Sequence, residues 1–312
     1  MSLRVAVMGA GGMGGFFGGR LVRAGAAVAF IARGEHLRAI ERDGLTVRSV
    51  AGDFTVTAPV TDAPARVPAL LGPVDLVLFC VKSYDTEGAA DALRPLLRPD
   101  TAVLSLQNGV VNEDVLAERL GAERVLGGLV WGFAVIEAPG VIRHTQGGRI
   151  VFGELDGRES ARATRFLEAG RAAGFAIEVT TAIRRAKWEK YLQICPLSAM
   201  TAATRRPIGE IRRCAESRGM FREVLEELTA IAKAEGIRLA DDAVERALGA
   251  ADALNPDSFS SLYHDLTHGR RLEVEALQGH AVRLGARHGI PTPALSALYA
   301  VLRPAALAAD RG

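Results

Sequence analysis

Two hydrophobic rhythms divide the chain. Up to about Val179, short apolar runs alternate with amphipathic stretches, whereas beyond Thr181 apolar residues recur every three or four positions and the short runs vanish. In the first regime the runs 3–8, 27–32, 75–81 and 101–106 read as strands, and behind Asp75 the run is apolar through Val81, as expected of a strand buried on both faces of a parallel sheet. Helical spacing covers 35–42, 85–97 and 160–173, and the stretch 45–57 is β-rich. Further strands are predicted at 125–136, 141–145, 149–152 and 175–179. Such alternation defines an α/β, doubly wound N-terminal domain over residues 1–180. In the second regime, 183–204, 216–236, 241–253, 258–268, 272–289 and 292–309 read as helices, punctuated by Pro207, Gly236, Pro256 and Pro291. They predict an all-α C-terminal domain over residues 181–312.

The 312 residues are 49% hydrophobic and 24% charged, ordinary globular material of a length that suits two domains. A net charge of +2 with both signs interspersed offers no field for nucleic acid, so none is expected as a partner. No apolar run approaches the roughly 18 residues of a membrane span, and the chain opens directly into a strand, so a cytoplasmic protein without a membrane partner is expected. Cys80, Cys195 and Cys214 form no CxxC pair, which argues against a disulfide framework or a zinc site. A homodimer is left open.

The strongest local signal follows the first strand. Gly9, Ala10, Gly11, Gly12, Met13 and Gly14 carry the dinucleotide fingerprint: Gly9 for a tight turn, Gly11 for close approach of a pyrophosphate, Gly14 for helix–strand packing. The N-terminus of the next helix would face the anion. This context makes the N-terminal domain Rossmann-type. NAD sites usually place an acid at the end of the second strand, but Arg33 stands there, and a guanidinium fork suits a 2′-phosphate. NADP (NADPH) is the expected cofactor, although Glu35 keeps NAD within reach. A solvated loop arginine is the plain alternative for Arg33.

Ligands of open α/β sheets gather beyond the carboxyl ends of strands, so Lys82 and Asn108 point toward the cofactor crevice. A surface lysine and a turn-forming Asn-Gly are their bland readings. Lys187 and Lys190 lie on the first helix of the second domain beside Trp188 and Tyr191, and helical geometry alone does not choose between them. Most lysines on such a helix are solvated. His264 and His268, four residues apart, have a metal-compatible spacing without a third nearby ligand, so no metal is expected. His36, His144, His280 and His288 are isolated and read as surface or packing residues.

Taken together, Gly9–Gly14, Ala32-Arg33-Gly34, Val81-Lys82-Ser83-Tyr84, Gln107-Asn108-Gly109, Trp188-Glu189-Lys190, Arg206–Glu210, and Phe259–Asp265 followed by Glu273 resemble the ketopantoate reductase (2-dehydropantoate 2-reductase) family over nearly the whole chain. The resemblance implies NADPH-dependent reduction of a 2-oxo acid to a 2-hydroxy acid, 2-dehydropantoate to pantoate in pantothenate biosynthesis or a close analogue. It implies Lys190 as the catalytic proton donor and Glu273 as the acid that holds the nascent hydroxyl and orients the lysine. Ser261 and Asn108 would bind substrate, Asn108 also touching the nicotinamide ribose, Lys82 would stand at the cofactor, and Arg33 would hold the 2′-phosphate. In one respect the chain departs from the pattern. Ile194 and Ser198 occupy positions where the family carries two asparagines one turn apart, so the substrate pocket is expected to be less polar, with Ser198 as its remaining hydroxyl. A related β-hydroxyacid dehydrogenase and a non-catalytic NADP-binding sensor are the alternative readings.

Overall fold

The computed structural model describes residues 3–309. In its first part the strands are β1 (Arg4–Met8), β2 (Ala27–Ile31), β3 (Leu45–Ser49), β4 (Phe54–Val56), β5 (Val60–Thr61), β6 (Leu76–Phe79), β7 (Ala102–Ser105), β8 (Val125–Ala138), β9 (Val141–Glu154) and β10 (Ala176–Val179). Between them run α1 (Gly12–Arg23), α2 (Gly34–Asp43), α3 (Val67–Leu71), α4 (Thr86–Leu93), α5 (Asn112–Leu120) and α6 (Ala161–Ala172). The strands form one sheet in the order β4-β3-β9-β8-β7-β6-β1-β2-β5, with β10 also paired to β9. From β5 to β8 every neighbouring pair is parallel, and the order reverses between β1 and β6, the arrangement of a doubly wound nucleotide-binding sheet.

Period-two alternation along β1 explains the two apolar layers. Val5 and Val7 pack with Phe16, Phe17, Val28 and Phe30 on one face, while Ala6 and Met8 pack with Ala29, Ile31, Val77 and Phe79 on the other. Each fully buried Phe contributes about 1.5–3 kcal/mol, so this double burial holds the sheet that carries the glycine turn.

The two strands expected over 141–145 and 149–152 are one, β9, paired antiparallel with β8 over most of its length. Gly147 and Gly148, at φ +70° and +109°, lie between them in an irregular stretch where the register shifts, which keeps the hairpin intact. The helix expected over 85–97 is shorter, with 3-10 turns on either side of α4. The short helices α3 and α5 were not anticipated.

The remaining helices are α7 (Ile183–Thr204), α8 (Ile208–Arg213), α9 (Ala215–Ala234), α10 (Ala243–Ala253), α11 (Ser261–Thr267), α12 (His280–His288) and α13 (Pro293–Ala309). The stretch 272–289 is not a single α-helix: a π-helical turn, Glu275–Gly279, leads into α12. Trp188, Tyr191, Leu192 and Cys195 of α7 pack with Phe221, Leu225 and Leu228 of α9 and Leu295 and Leu298 of α13 in a separate core. The chain forms two compact units. One comprises residues 1–107 and 112–183, the other residues 108–111 and 184–312. No helix among the described residues is long and apolar enough to cross a membrane.

Candidate functional site

In the first unit the glycine turn joins β1 to α1 beside the point where the strand order reverses. Gly9 has φ +96°, a left-handed conformation, and the amides of Gly9 and Ala10 donate to the Ile31 carbonyl at 3.2 and 3.0 Å, tying the turn to the end of β2. A Cβ on Gly14 would stand 2.1 Å from the Gly9 carbonyl oxygen and 3.1 Å from Cys80 Cβ and Val7 Cγ1, so only glycine allows α1 to lie this close to the sheet. A Cβ on Gly11 would meet nothing within 4 Å. Its side of the turn is open. At its N-terminus α1 has no side-chain cap and no acid in the first turn, while Arg20 and Arg23 occupy the last turn. Unsatisfied amides and the positive end of the helix dipole are thus presented where a pyrophosphate fits.

Arg33 is the exposed N-cap residue of α2, two positions past β2. Glu35, the acid that kept NAD in view, is paired with Arg38. Lys82 follows β6 and precedes a 3-10 turn at Ser83–Asp85. The loops after β6 and β7 are tied by Gln107, whose Nε2 donates to the Val81 carbonyl at 3.0 Å and to Thr86 Oγ1 at 2.8 Å. Sequence reasoning assigned Gln107 no role, although a polar residue ending an apolar strand directly before Asn-Gly is a usable signal. His36, read as an isolated surface or packing residue, bonds the Ala10 carbonyl of the glycine turn at 2.8 Å and receives the Gly140 amide at 3.0 Å.

In the second unit, Asn108 and Lys190 come together across 82 residues of sequence. Lys190 Nζ donates to Asn108 Oδ1 at 2.7 Å. Gly109 at φ +91° supplies the left-handed turn that follows Asn108. Lys190 and Lys187 are only 6% and 5% exposed and Glu273 is 8% exposed, so the expectation that most lysines of this helix are solvated does not hold. Ionised groups at this depth need polar or charged partners, and Asn108 supplies one to Lys190. The adjoining face of α7 is anchored by Trp188 and Tyr191, whose rings meet edge to face at 5.5 Å, with Tyr191 Oη donating to the Leu277 carbonyl of the π-helical turn.

Ser261 is the first residue of α11, and its neighbour Ser260 caps that helix. A directed chain of hydrogen bonds runs through the cap. The Tyr263 amide donates to Ser260 Oγ at 3.1 Å; Thr201 Oγ1 donates to the Leu197 carbonyl at 2.7 Å, so the 2.7 Å contact between the two hydroxyls carries the Ser260 proton. This chain fastens the start of α11, and with it Ser261, to α7. Ser198 is 3% exposed, donates to the Cys195 carbonyl at 2.9 Å and accepts from Gln278 Nε2 at 2.9 Å. Ile194 is half-buried, one turn beyond Lys190 and packed against the helical core. His268 Nδ1 donates to the His264 carbonyl at 2.7 Å, and no metal-ligating group of three or more side chains occurs among the described residues.

A six-stranded parallel order with an open, uncapped glycine turn, accompanied by a helical unit with a buried lysine, is the build of a nicotinamide-dependent oxidoreductase. Residues 5–157 match the family described as ketopantoate reductase PanE/ApbA, and residues 182–306 match its C-terminal counterpart. A 2-dehydropantoate 2-reductase of Halobacterium salinarum is 36% identical over 302 residues, covering 96% of this chain and 98% of its own. The crystal structure of a PanE/ApbA family ketopantoate reductase from Ralstonia eutropha is 37% identical, covers 99% of both chains and superposes with a TM-score of 0.89. A D-mandelate dehydrogenase shares the fold at 22% identity and a TM-score of 0.90. The chain belongs to the ketopantoate reductase family, an NADPH-dependent family of oxidoreductases. That membership sets aside the β-hydroxyacid dehydrogenase reading.

Proposed function

We propose that the protein reduces a small 2-oxo acid to the 2-hydroxy acid with NADPH, 2-dehydropantoate or a close analogue being the substrate. The observation that carries this reading is the part-buried hydrogen bond from Lys190 Nζ to Asn108 Oδ1 at 2.7 Å, which holds an ammonium at a fixed point in the helical unit. The cofactor supplies the hydride when bound. Lys190 donates the proton that the keto oxygen gains, Asn108 holds the ammonium in its donating orientation, and Glu273 accepts from the new hydroxyl. Ser261, on the fastened first turn of α11, binds the substrate near its carboxylate. Ser198 has its hydroxyl proton engaged by the Cys195 carbonyl, so its contribution to the substrate wall is as an acceptor. On the cofactor side, Gly9, Ala10, Gly11, Gly12, Met13 and Gly14 receive the pyrophosphate, Arg33 the 2′-phosphate, and Lys82 stands at the dinucleotide. Residues 1–180 then serve as the NADP-binding domain and 181–312 as the helical substrate domain.

The test is a panel of 2-oxo acids, including ketopantoate, 2-oxoisovalerate and phenylglyoxylate, followed by loss of NADPH absorbance. Turnover of at least one member is expected. No turnover of any, with NADPH bound, would support the non-catalytic sensor instead.

A further inference from the structure

The Ala10–Gly11 peptide lies in the middle of the glycine turn, and its carbonyl is held by a side chain from outside the turn. His36 Nε2 lies 2.8 Å from the Ala10 oxygen, and the Gly140 amide of the β8–β9 turn donates to His36 Nδ1 at 3.0 Å. These two contacts fix the tautomer. Since Nδ1 accepts, the ring proton sits on Nε2 and is donated to Ala10; no other form of the ring satisfies both neighbours. A trans peptide is planar, and its carbonyl and amide point in opposite directions. Holding the Ala10 oxygen therefore aims the Gly11 amide away from His36, at the one position of the turn where a Cβ would find open space.

We propose that His36 is a positioning residue of the cofactor site: as the neutral Nε2–H imidazole, braced by Gly140, it sets the Gly11 amide for a dinucleotide pyrophosphate, and taking up a second proton breaks the Gly140 brace that holds the ring in that pose. The proposal rests on the glycine turn being the dinucleotide site. A proton on Nδ1 would face the Gly140 amide donor to donor, so the ring must release Gly140. Burial pushes the imidazole below its ordinary range, and the bond to Ala10 opposes that only in part. The glycine turn brings no ionisable side chain to the ring. On α2 the charged residues flanking it are Arg33 and the paired Glu35 and Arg38, and the β8–β9 hairpin contributes Glu137, held by Arg48 and Arg143.

Calorimetric titration of the apoenzyme with NAD+ tests this, because NAD+ lacks the 2′-phosphate of NADP+, which itself titrates near pH 6. Between pH 8 and pH 5 the wild-type affinity should become constant at the alkaline end and fall by up to about tenfold per pH unit at the acid end, as one-proton linkage requires. His36→Phe should bind NAD+ about three- to tenfold more weakly at pH 8, in keeping with the loss of one hydrogen bond, and its affinity should stay flat over the pH range in which the wild type falls. His36→Gln retains a donor for Ala10 and should restore most of the affinity while staying flat with pH. Wild-type affinity in the Phe variant at pH 8, or the same acid fall in both proteins, overturns the proposal. If His36→Phe does not fold, the wild type still decides: the midpoint of the affinity profile must coincide with the His36 ring titration followed by NMR in the apoenzyme, and a separate midpoint refutes it. Failure of the wild type to bind either NAD+ or NADP+ at any pH would instead overturn the reading of the turn itself, and the proposal with it.

Discussion

Replacing Lys190 by Met keeps most of the side-chain volume and deletes only the ammonium, so it isolates the proton donor from packing. A positioned general acid contributes about 10²–10⁴ in rate, or roughly 2.7–5.5 kcal/mol on the barrier, and turnover of the best 2-oxo acid should fall by that amount. Two opposing terms govern stability. The variant leaves Asn108 Oδ1 without the donor it has at 2.7 Å, costing about 1–3 kcal/mol, but it also removes the desolvation penalty of an ammonium that is 6% exposed. Thermal unfolding should therefore shift by only a few degrees. Lys187 is equally deep at 5% exposure, which makes Lys187→Met a stringent companion with matched burial. That variant should retain turnover within a few-fold of wild type. Steady-state kinetics at saturating NADPH, with NADPH affinity measured separately by fluorescence titration, give the result. Near-normal turnover in Lys190→Met together with its loss in Lys187→Met would refute the reasoning and move the proton donor one helical turn.

Arg33→Ala should weaken NADPH by about 10- to 100-fold, the worth of one charge-assisted hydrogen bond, while leaving NADH affinity unchanged; equal losses for both in a binding titration would exclude a 2′-phosphate role. With Ile194 beside the lysine, kcat/KM for ketopantoate should exceed that for 2-oxoisovalerate by less than about 100-fold, and Ile194→Asn should shift the ratio toward ketopantoate, since apolar walls discriminate weakly against hydroxyls; a ratio of several hundred in the wild type contradicts this. Thr201→Val removes the acceptor for the Ser260 hydroxyl without changing side-chain size, and should raise KM for the 2-oxo acid several-fold with NADPH affinity unchanged. Recovery in Thr201→Ser would identify the hydroxyl as the cause, and an unchanged KM in Thr201→Val would remove Thr201 from the site's support.

Strands buried on both faces leave continuous apolar runs, and that is why β1, β2, β6 and β7 were legible within a residue or two of their observed limits. Glycine spacing was equally readable, because Gly9 takes a left-handed turn and Gly14 a close helix–strand approach that other residues do not meet, while Gly11 leaves its side of the turn open. What spacing could not settle was the choice between Lys187 and Lys190. Both turn inward, and what marks Lys190 is a bond to a residue 82 positions earlier. His36, Gln107, Thr201 and Ser260 went unassigned for a related reason: each acts on a backbone group or hydroxyl brought near by folding. The reach from His36 to Gly140 is 104 residues, and no periodicity encodes it.

The four residues 108–111 belong to the helical unit although the chain on either side belongs to the other. Three covalent crossings join the units instead of one. A fragment starting at Arg184 would contain Lys190 and lack its acceptor, so the helical unit is not a cassette that gene fusion could transplant intact. During synthesis the Asn108 turn leaves the ribosome long before α7 exists to receive it, and the ammonium finds its partner only after the chain has doubled back. Circular permutation that opened the protein between Gln107 and Asn112 would cut this arrangement at its narrowest point, whereas new termini in the turn between β8 and β9 would leave all three crossings in place.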